Sequence, residues 1–153
     1  LFLTRPGRRT IERRPEGGAD RMREEGLTPD LVEEVTDWRP DLAAAAIRTR
    51  VARGRDFTAI LAAGDSLAIG ALIGLAEADV DVPGEVSVMG FDGLPQCDLQ
   101  SPPLSAVEIP MRDIGALALD LLRDALTGRA APARRVELAC RIIDRASVGP
   151  ARE

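Results

Sequence analysis

Residues 57–75 read Phe57-Thr58-Ala59-Ile60-Leu61-Ala62-Ala63-Gly64-Asp65-Ser66-Leu67-Ala68-Ile69-Gly70-Ala71-Leu72-Ile73-Gly74-Leu75. From Phe57 to Ala63 the run is almost continuously apolar, which suits a strand covered on both faces rather than one with a wet side. Gly64 breaks the run, and Asp65 or Ser66 is placed to cap a following helix. Leu67, Ala71, Leu72 and Leu75 then return at helical spacing. A buried strand feeding straight into a helix is the front half of a βαβ unit.

The same alternation extends in both directions. Upstream, Leu1-Phe2-Leu3-Thr4 is a short strand closed by Pro6 and Gly7. Pro15, Gly17 and Gly18 oppose a helix across the charged stretch that follows, so a helix is expected only over residues 19–25, stopped by Gly26. Leu31 to Val35 suits a strand leading into Asp37-Trp38, and Pro40 fits the first turn of a helix ending at Gly54. Downstream, Val82-Pro83-Gly84 turns the chain into a second buried strand, Val86 to Met89, which ends in Gly90-Phe91-Asp92. Leu104 to Val107 is a short extended piece. Ile114, Leu117, Ala118, Leu121, Leu122 and Ala125 draw one apolar stripe along a helix over residues 111–126. Val136, Leu138, Cys140 and Ile142 alternate as in a half-buried strand, and the last residues read as a frayed tail. Strands alternating with helices predict an α/β fold, a mostly parallel sheet flanked by helices.

The chain has 153 residues, about one domain's worth, with 45% hydrophobic and 29% charged residues, which is a globular composition. Its 20 basic and 25 acidic residues leave a net charge of −5, against a free-standing nucleic-acid binder. With no histidine there is no imidazole base, no serine–histidine triad and no ordinary zinc site. With no tyrosine and four aromatic residues, stacking platforms for single-stranded nucleic acid are not expected. Apolar runs are broken by charge well before the roughly 18 residues of a membrane span. Cys97 and Cys140 have no metal spacing and suit reduced thiols. The chain opens at Leu1 inside an apolar run and reads as a piece of something longer.

In open α/β sheets, ligands gather beyond the carboxyl ends of the strands. Asp37-Trp38, Gly64-Asp65 and Phe91-Asp92 all fall there. Trp38 could offer a flat apolar face to a ligand ring, or serve as a rim tryptophan. The Asp92 carboxylate could accept two hydrogen bonds from adjacent hydroxyls, neutralise a cationic ligand, or bond its own backbone in a turn. Asp65 suits a helix cap better than a ligand contact. Two strand-end aspartates could hold magnesium, but no lysine or phosphate loop completes a phosphoryl-transfer site, and no G-x-G-x-x-G supports a dinucleotide. The arginines between Arg5 and Arg14 could form an anion patch or a solvated surface.

Five strings, in order and in register, resemble LacI/GalR-type transcriptional regulators. They are TAILAAGDSLAIGAL at 58–72, VPGEVSVMGFD at 82–92, SPPLSAV at 101–107, the helix carrying Ile114-Gly115, and IIDRAS at 142–147. The resemblance implies a periplasmic-binding-protein-like type I sensor core, seen mainly as its second lobe. It implies residues 1–109 as part of the carboxy-terminal lobe, 110–147 as a crossover helix and returning strand, and 148–153 as a tail. A helix-turn-helix that reads operator DNA, the hinge helix and most of the first lobe would lie outside these residues.

The expected function is to bind a small effector, sugar-like or nucleobase-like, and so modulate the operator affinity of a cytoplasmic, homodimeric repressor. That role calls for no catalysis, cofactor, metal or membrane. Carried over by position, the effector contacts are Asp92, Trp38 and Arg14, with Asp65 and Gly64 as further candidates. Gly64 stands where many members place an asparagine that contacts the effector, and Ile109 where a polar contact is common. Both departures remove hydrogen-bonding capacity. The stripe Ile114, Leu117, Leu121 and Leu122 would lose its native partner layer. A solute-binding component of a transport system with the same fold is the alternative, with a small α/β enzyme using carboxylates behind it.

Overall fold

The computed structural model describes residues 1–7, 9–28, 32–129 and 135–150. Its strands are β1 (Phe2–Thr4), β2 (Val32–Glu34), β3 (Ala59–Ala62), β4 (Ser87–Asp92), β5 (Ser105–Glu108) and β6 (Arg141–Ile143). Its helices are α1 (Arg9–Glu24), α2 (Pro40–Ala52), α3 (Asp65–Ala76) and α4 (Met111–Leu126), with a 3-10 turn at Pro95–Leu99. The strands make one sheet in the order β2-β1-β3-β4-β5-β6. Strands β1 to β5 run parallel and β6 runs antiparallel along β5. This is the expected mostly parallel α/β architecture.

Side-chain alternation sorts the two faces of the sheet. Leu3, Ile60, Ala62, Val88 and Ala106 join Ala43 and Ile47 of α2 and Leu67, Ala71 and Leu75 of α3 in one buried core. Each fully buried leucine there contributes about 1.5–3 kcal/mol. Helices α2 and α3 approach closely because α3 carries glycine at the contact. A Cβ on Gly70 would fall 2.6 Å from the Ala43 Cβ and 2.9 Å from the Pro40 Cα.

On the opposite face, α1 packs on β1 and β3. It runs as one helix through Pro15, Gly17 and Gly18, against the expectation of a helix confined to residues 19–25. Tertiary packing overrides local propensity here. A Cβ at Gly18 would lie 2.5 Å from the Phe2 ring, so the glycine lets the helix settle on that side chain. The expected start of the second strand, Leu31, lies outside the described residues.

Two expectations about the carboxy-terminal part are corrected. The expected strand from Val136 to Ile142 is reduced to Arg141–Ile143, with Ile142 exposed at the sheet edge. Val136, Leu138 and Cys140 instead line an apolar groove of about 510 Å³ with Ile114, Leu117 and Leu121 of α4. Their alternation places them along a helix surface rather than in a sheet. Of the tail expected over residues 148–153, residues 148–150 are not frayed, and residues 151–153 lie outside the described residues. Ser147 is fully buried, its Oγ donating to Val88 O (2.6 Å) and accepting from Ser105 N (2.8 Å). The Gly149 amide donates to Ser87 Oγ at 3.1 Å. This segment ties the starts of β4 and β5 together.

Helix α4 buries none of its residues, and Leu122 is 55% exposed and Leu126 79%. Leu122 and Leu126 are thus uncovered within the described residues, whereas Ile114, Leu117 and Leu121 face the groove lined by Val136, Leu138 and Cys140.

Candidate functional site

Strand β1 has β2 on one side and β3 on the other, so successive connections leave it in opposite directions. Such a switch point opens a crevice at the carboxyl ends of the strands. The chain turns from β2 into Trp38, from β3 into Gly64, and from β4 into Asp92 at this end.

Gly64 lies between the other two. A Cβ built on it would fall 2.9 Å from Trp38 Cζ3, 3.3 Å from Trp38 Cε3 and 3.6 Å from Asp92 Oδ2. Its φ of −167° is ordinary extended backbone, so the glycine is required by space and not by conformation. The half-buried Trp38 indole therefore lies directly over the Gly64 backbone, next to the Asp92 carboxylate.

Arg14 reaches the same cluster from α1. Its Nη2 lies 3.4 Å from Asp92 Oδ1, its Nη1 donates to the Ala63 carbonyl, and its guanidinium carbon stands 4.0 Å above the Phe91 ring centre. Alternation along β4 accounts for this stack, because Phe91 points to the α1 face. The sequence reading missed Phe91 as the platform for Arg14, although the period of two placed it on that face.

Asp92 is partly buried in a strained backbone. Its φ of 121° lies in the region that favours glycine, at a cost of about 1–3 kcal/mol, and such residues gather at functional sites. Gly93 follows at φ 76°. Burial pushes the Asp92 carboxyl above its ordinary value. Arg14 pulls the other way, and the Asp65 carboxylate adds to the rise. On the far flank of Asp92 an open cavity of about 640 Å³ is lined by Gly93, Glu108, Ile109, Met111 and Arg141 among others.

Asp65 behaves differently. It is fully buried and makes no cap on its own helix, where Gly64 is the capping residue. Its Oδ2 accepts the Leu94 N–H at 2.7 Å. The proposed arginine patch also divides. Arg5 donates to the Thr36 carbonyl, Arg14 enters the cleft, and the side chains of Arg8 and Arg9 lie outside the described residues. No group of three or more acidic, cysteine or histidine side chains that could hold a metal occurs among the described residues. None of their helices is long and apolar enough to cross a membrane.

The arrangement offers one acceptor carboxylate, one guanidinium and one aromatic wall around an open space. It can hold a small polar ligand reversibly. The HTH-type transcriptional repressor PurR of Edwardsiella ictaluri is 29% identical over 112 residues, which is 73% of this chain and 33% of that protein. The crystal structure of the Escherichia coli transcriptional repressor ascG superposes with a TM-score of 0.87 at 29% identity, covering 97% of this chain and 54% of that one. A LacI family transcriptional regulator from Arthrobacter sp. FB24, solved in complex with lactose, gives a TM-score of 0.82 at 26% identity, covering 97% and 57%. The chain thus spans about a third to just over half of these relatives. The family model for the periplasmic binding protein-like domain matches residues 1–148, and the chain belongs to that family.

Proposed function

We propose that this chain supplies one wall of an effector-binding cleft in a LacI-type transcriptional regulator, with Asp92, Arg14 and Trp38 as ligand contacts and Gly64 shaping the floor. The observation that carries this reading is the meeting of Trp38, Gly64 and Asp92 at the switch point. Asp92 would accept hydrogen bonds from ligand hydroxyl or N–H groups, and Arg14 would donate to ligand oxygens, each charge-assisted. Trp38 would cover an apolar ring face. The absence of a side chain at Gly64 removes an amide from the cleft, which favours a ligand that offers a flat face in addition to its hydroxyls.

Residues 1–109 act as the second lobe, and 110–147 as the return toward the first lobe, which would cover the α4 stripe. In the whole regulator, closure of the two lobes on the effector would bias the dimer between arrangements of different operator affinity. The effector shifts that balance only by binding one arrangement better than the other. Homodimerisation, operator binding through a separate amino-terminal domain and a cytoplasmic setting complete the proposal. The lactose complex of the Arthrobacter relative supports a sugar-like ligand.

The test is amide NMR of the 153-residue chain titrated separately with lactose, ribose, galactose and hypoxanthine at up to tens of millimolar. The expected result is shifts for at least one of them at the Trp38 indole N–H and the Asp92 and Gly93 amides. Shifts absent there for every probe, or confined to the α4 groove, would overturn the reading.

A further inference from the structure

Asp92 can serve a ligand only if its strained turn is held, and two bonds hold it from opposite sides. On the β5 side the Ile109 amide donates to the Asp92 carbonyl at 3.1 Å. On the α3 side the next amide but one, that of Leu94, donates to Asp65 Oδ2 at 2.7 Å. Gly93 between them leaves no slack, since a Cβ there would fall 2.7 Å from the Glu108 Cα.

Asp65 is an unusual residue to find wholly buried. Its other oxygen, Oδ1, has no hydrogen-bond partner among the described residues. A glycine is spent on making room for it, as a Cβ at Gly90 would lie 2.5 Å from that oxygen. Its placement in the first turn of the 12-residue helix α3 favours a negative charge. This carboxylate has the Cys97 thiol beside it and one short backbone bond, and that bond reaches the turn that carries Asp92.

We infer that Asp65 is a positioning residue of the cleft, which grips the Leu94 amide and so fixes the Asp92–Gly93 turn in the conformation that presents the Asp92 carboxylate. This rests on the reading of Asp92 as a ligand contact. The charged groups around Asp92 are Arg14 from α1, Asp65 from α3, Glu108 with its partner Arg141 from β5 and β6, and Arg112 and Asp113 at the start of α4, which line the same cavity. Asp65 is the one among them that also bonds the turn.

The test needs no ligand. In the 153-residue chain, Leu94 amide exchange and the carboxyl-carbon titration of Asp92 are followed by NMR for Asp65→Asn, Asp65→Ala and Leu94→Pro. Leu94 has φ −70°, within the range of proline, so Leu94→Pro removes the donor without bending the chain. Asp65→Asn keeps an acceptor and loses the charge. It is expected to leave Leu94 exchange within about threefold of native while Asp92 titrates at lower pH. Asp65→Ala is expected to speed Leu94 exchange about tenfold or more, the loss of one charged hydrogen bond. Leu94→Pro and Asp65→Ala should each return Asp92 toward its ordinary titration, and the double variant should go no further.

Loss of the Asp65 charge alone lowers the Asp92 midpoint in Asp65→Asn, so positioning is read in Leu94→Pro, which keeps that charge; there a carboxylate that merely stabilised the fold would leave the Asp92 titration in place. An unchanged Asp92 midpoint in Leu94→Pro would overturn the inference, as would a native Leu94 amide that exchanges at the unfolded rate. If Asp65→Ala does not fold, Leu94→Pro decides. Failure of the cleft reading itself shows separately, as absent ligand shifts in a chain whose turn behaves as described.

Discussion

Gly64→Ala perturbs the site by a single methyl group. Its Cβ would lie 2.9 Å from Trp38 Cζ3, whereas carbon contacts settle at about 3.5–4.0 Å, so the indole must withdraw by roughly 0.6–1 Å. Because Trp38 is half-buried at the cleft mouth, it can move outward, which places the cost near the low end of the about 1–3 kcal/mol typical of overpacking. Alanine accepts the extended backbone, and stiffening the unfolded chain returns about 0.4–1 kcal/mol. The net expectation is a loss of up to about 1 kcal/mol, or a midpoint lower by up to about 4 °C. Trp38 is the only tryptophan, so its emission reports the ring directly. A shift to the red and stronger acrylamide quenching should accompany the loss. If Gly64→Ala instead gains the full stability due to the unfolded state and leaves the emission unchanged, the indole does not rest on Gly64 and the site as described is wrong.

Further consequences are as direct. Gly70→Ala meets the backbone of α2 at Pro40, which cannot swing away, and should cost about 2–4 kcal/mol in urea unfolding. Gly115→Ala on exposed α4 meets nothing within 4 Å and should stabilise by about 0.5–1 kcal/mol. Asp92→Ala should weaken the best of the sugar or nucleobase probes by about 1.5–3 kcal/mol by calorimetry. Since burial holds the Asp92 carboxyl above its ordinary value, ligand affinity should decline on acidification sooner than an exposed aspartate would allow. The same shift makes this group's stability contribution fall as pH rises from the ordinary carboxylate range through the raised value. The Cys97 thiol, buried and beside Asp65, is pushed up to about 12, whereas Cys140 is exposed, so a thiol reagent should modify one cysteine in the native chain and two after denaturation.

What could be read from the sequence was whatever depends on short-range pattern. The apolar run before Gly64, the helical spacing after it and the stripe on α4 each imposed a period that the fold respects. Trp38, Gly64 and Asp92 could be placed at strand ends for the same reason. What escaped depends on contacts distant in sequence. Pro15 and Gly18 argue against a helix until Phe2, sixteen residues before Gly18, is seen to need the space. Val136, Leu138 and Cys140 alternate like a strand but face a helix. Ser147 lies near the end of the chain, yet it bridges β4 and β5. Asp65 carries the signature of a helix cap, and only the distance to Leu94 reveals its other task. The resemblance to LacI-type regulators supplied Arg14, which no local pattern singled out, and the stack on Phe91 gives that arginine a physical reason to be where it is.

The most direct measurement is a search for intermolecular nuclear Overhauser contacts between the ring protons of Trp38 and the carbon-bound protons of whichever probe shifts the Asp92 and Gly93 amides. The account predicts such contacts, and their loss in Asp92→Ala at the same probe concentration. Contacts found only to the groove between α4 and residues 136–140, with Trp38 silent, would contradict it.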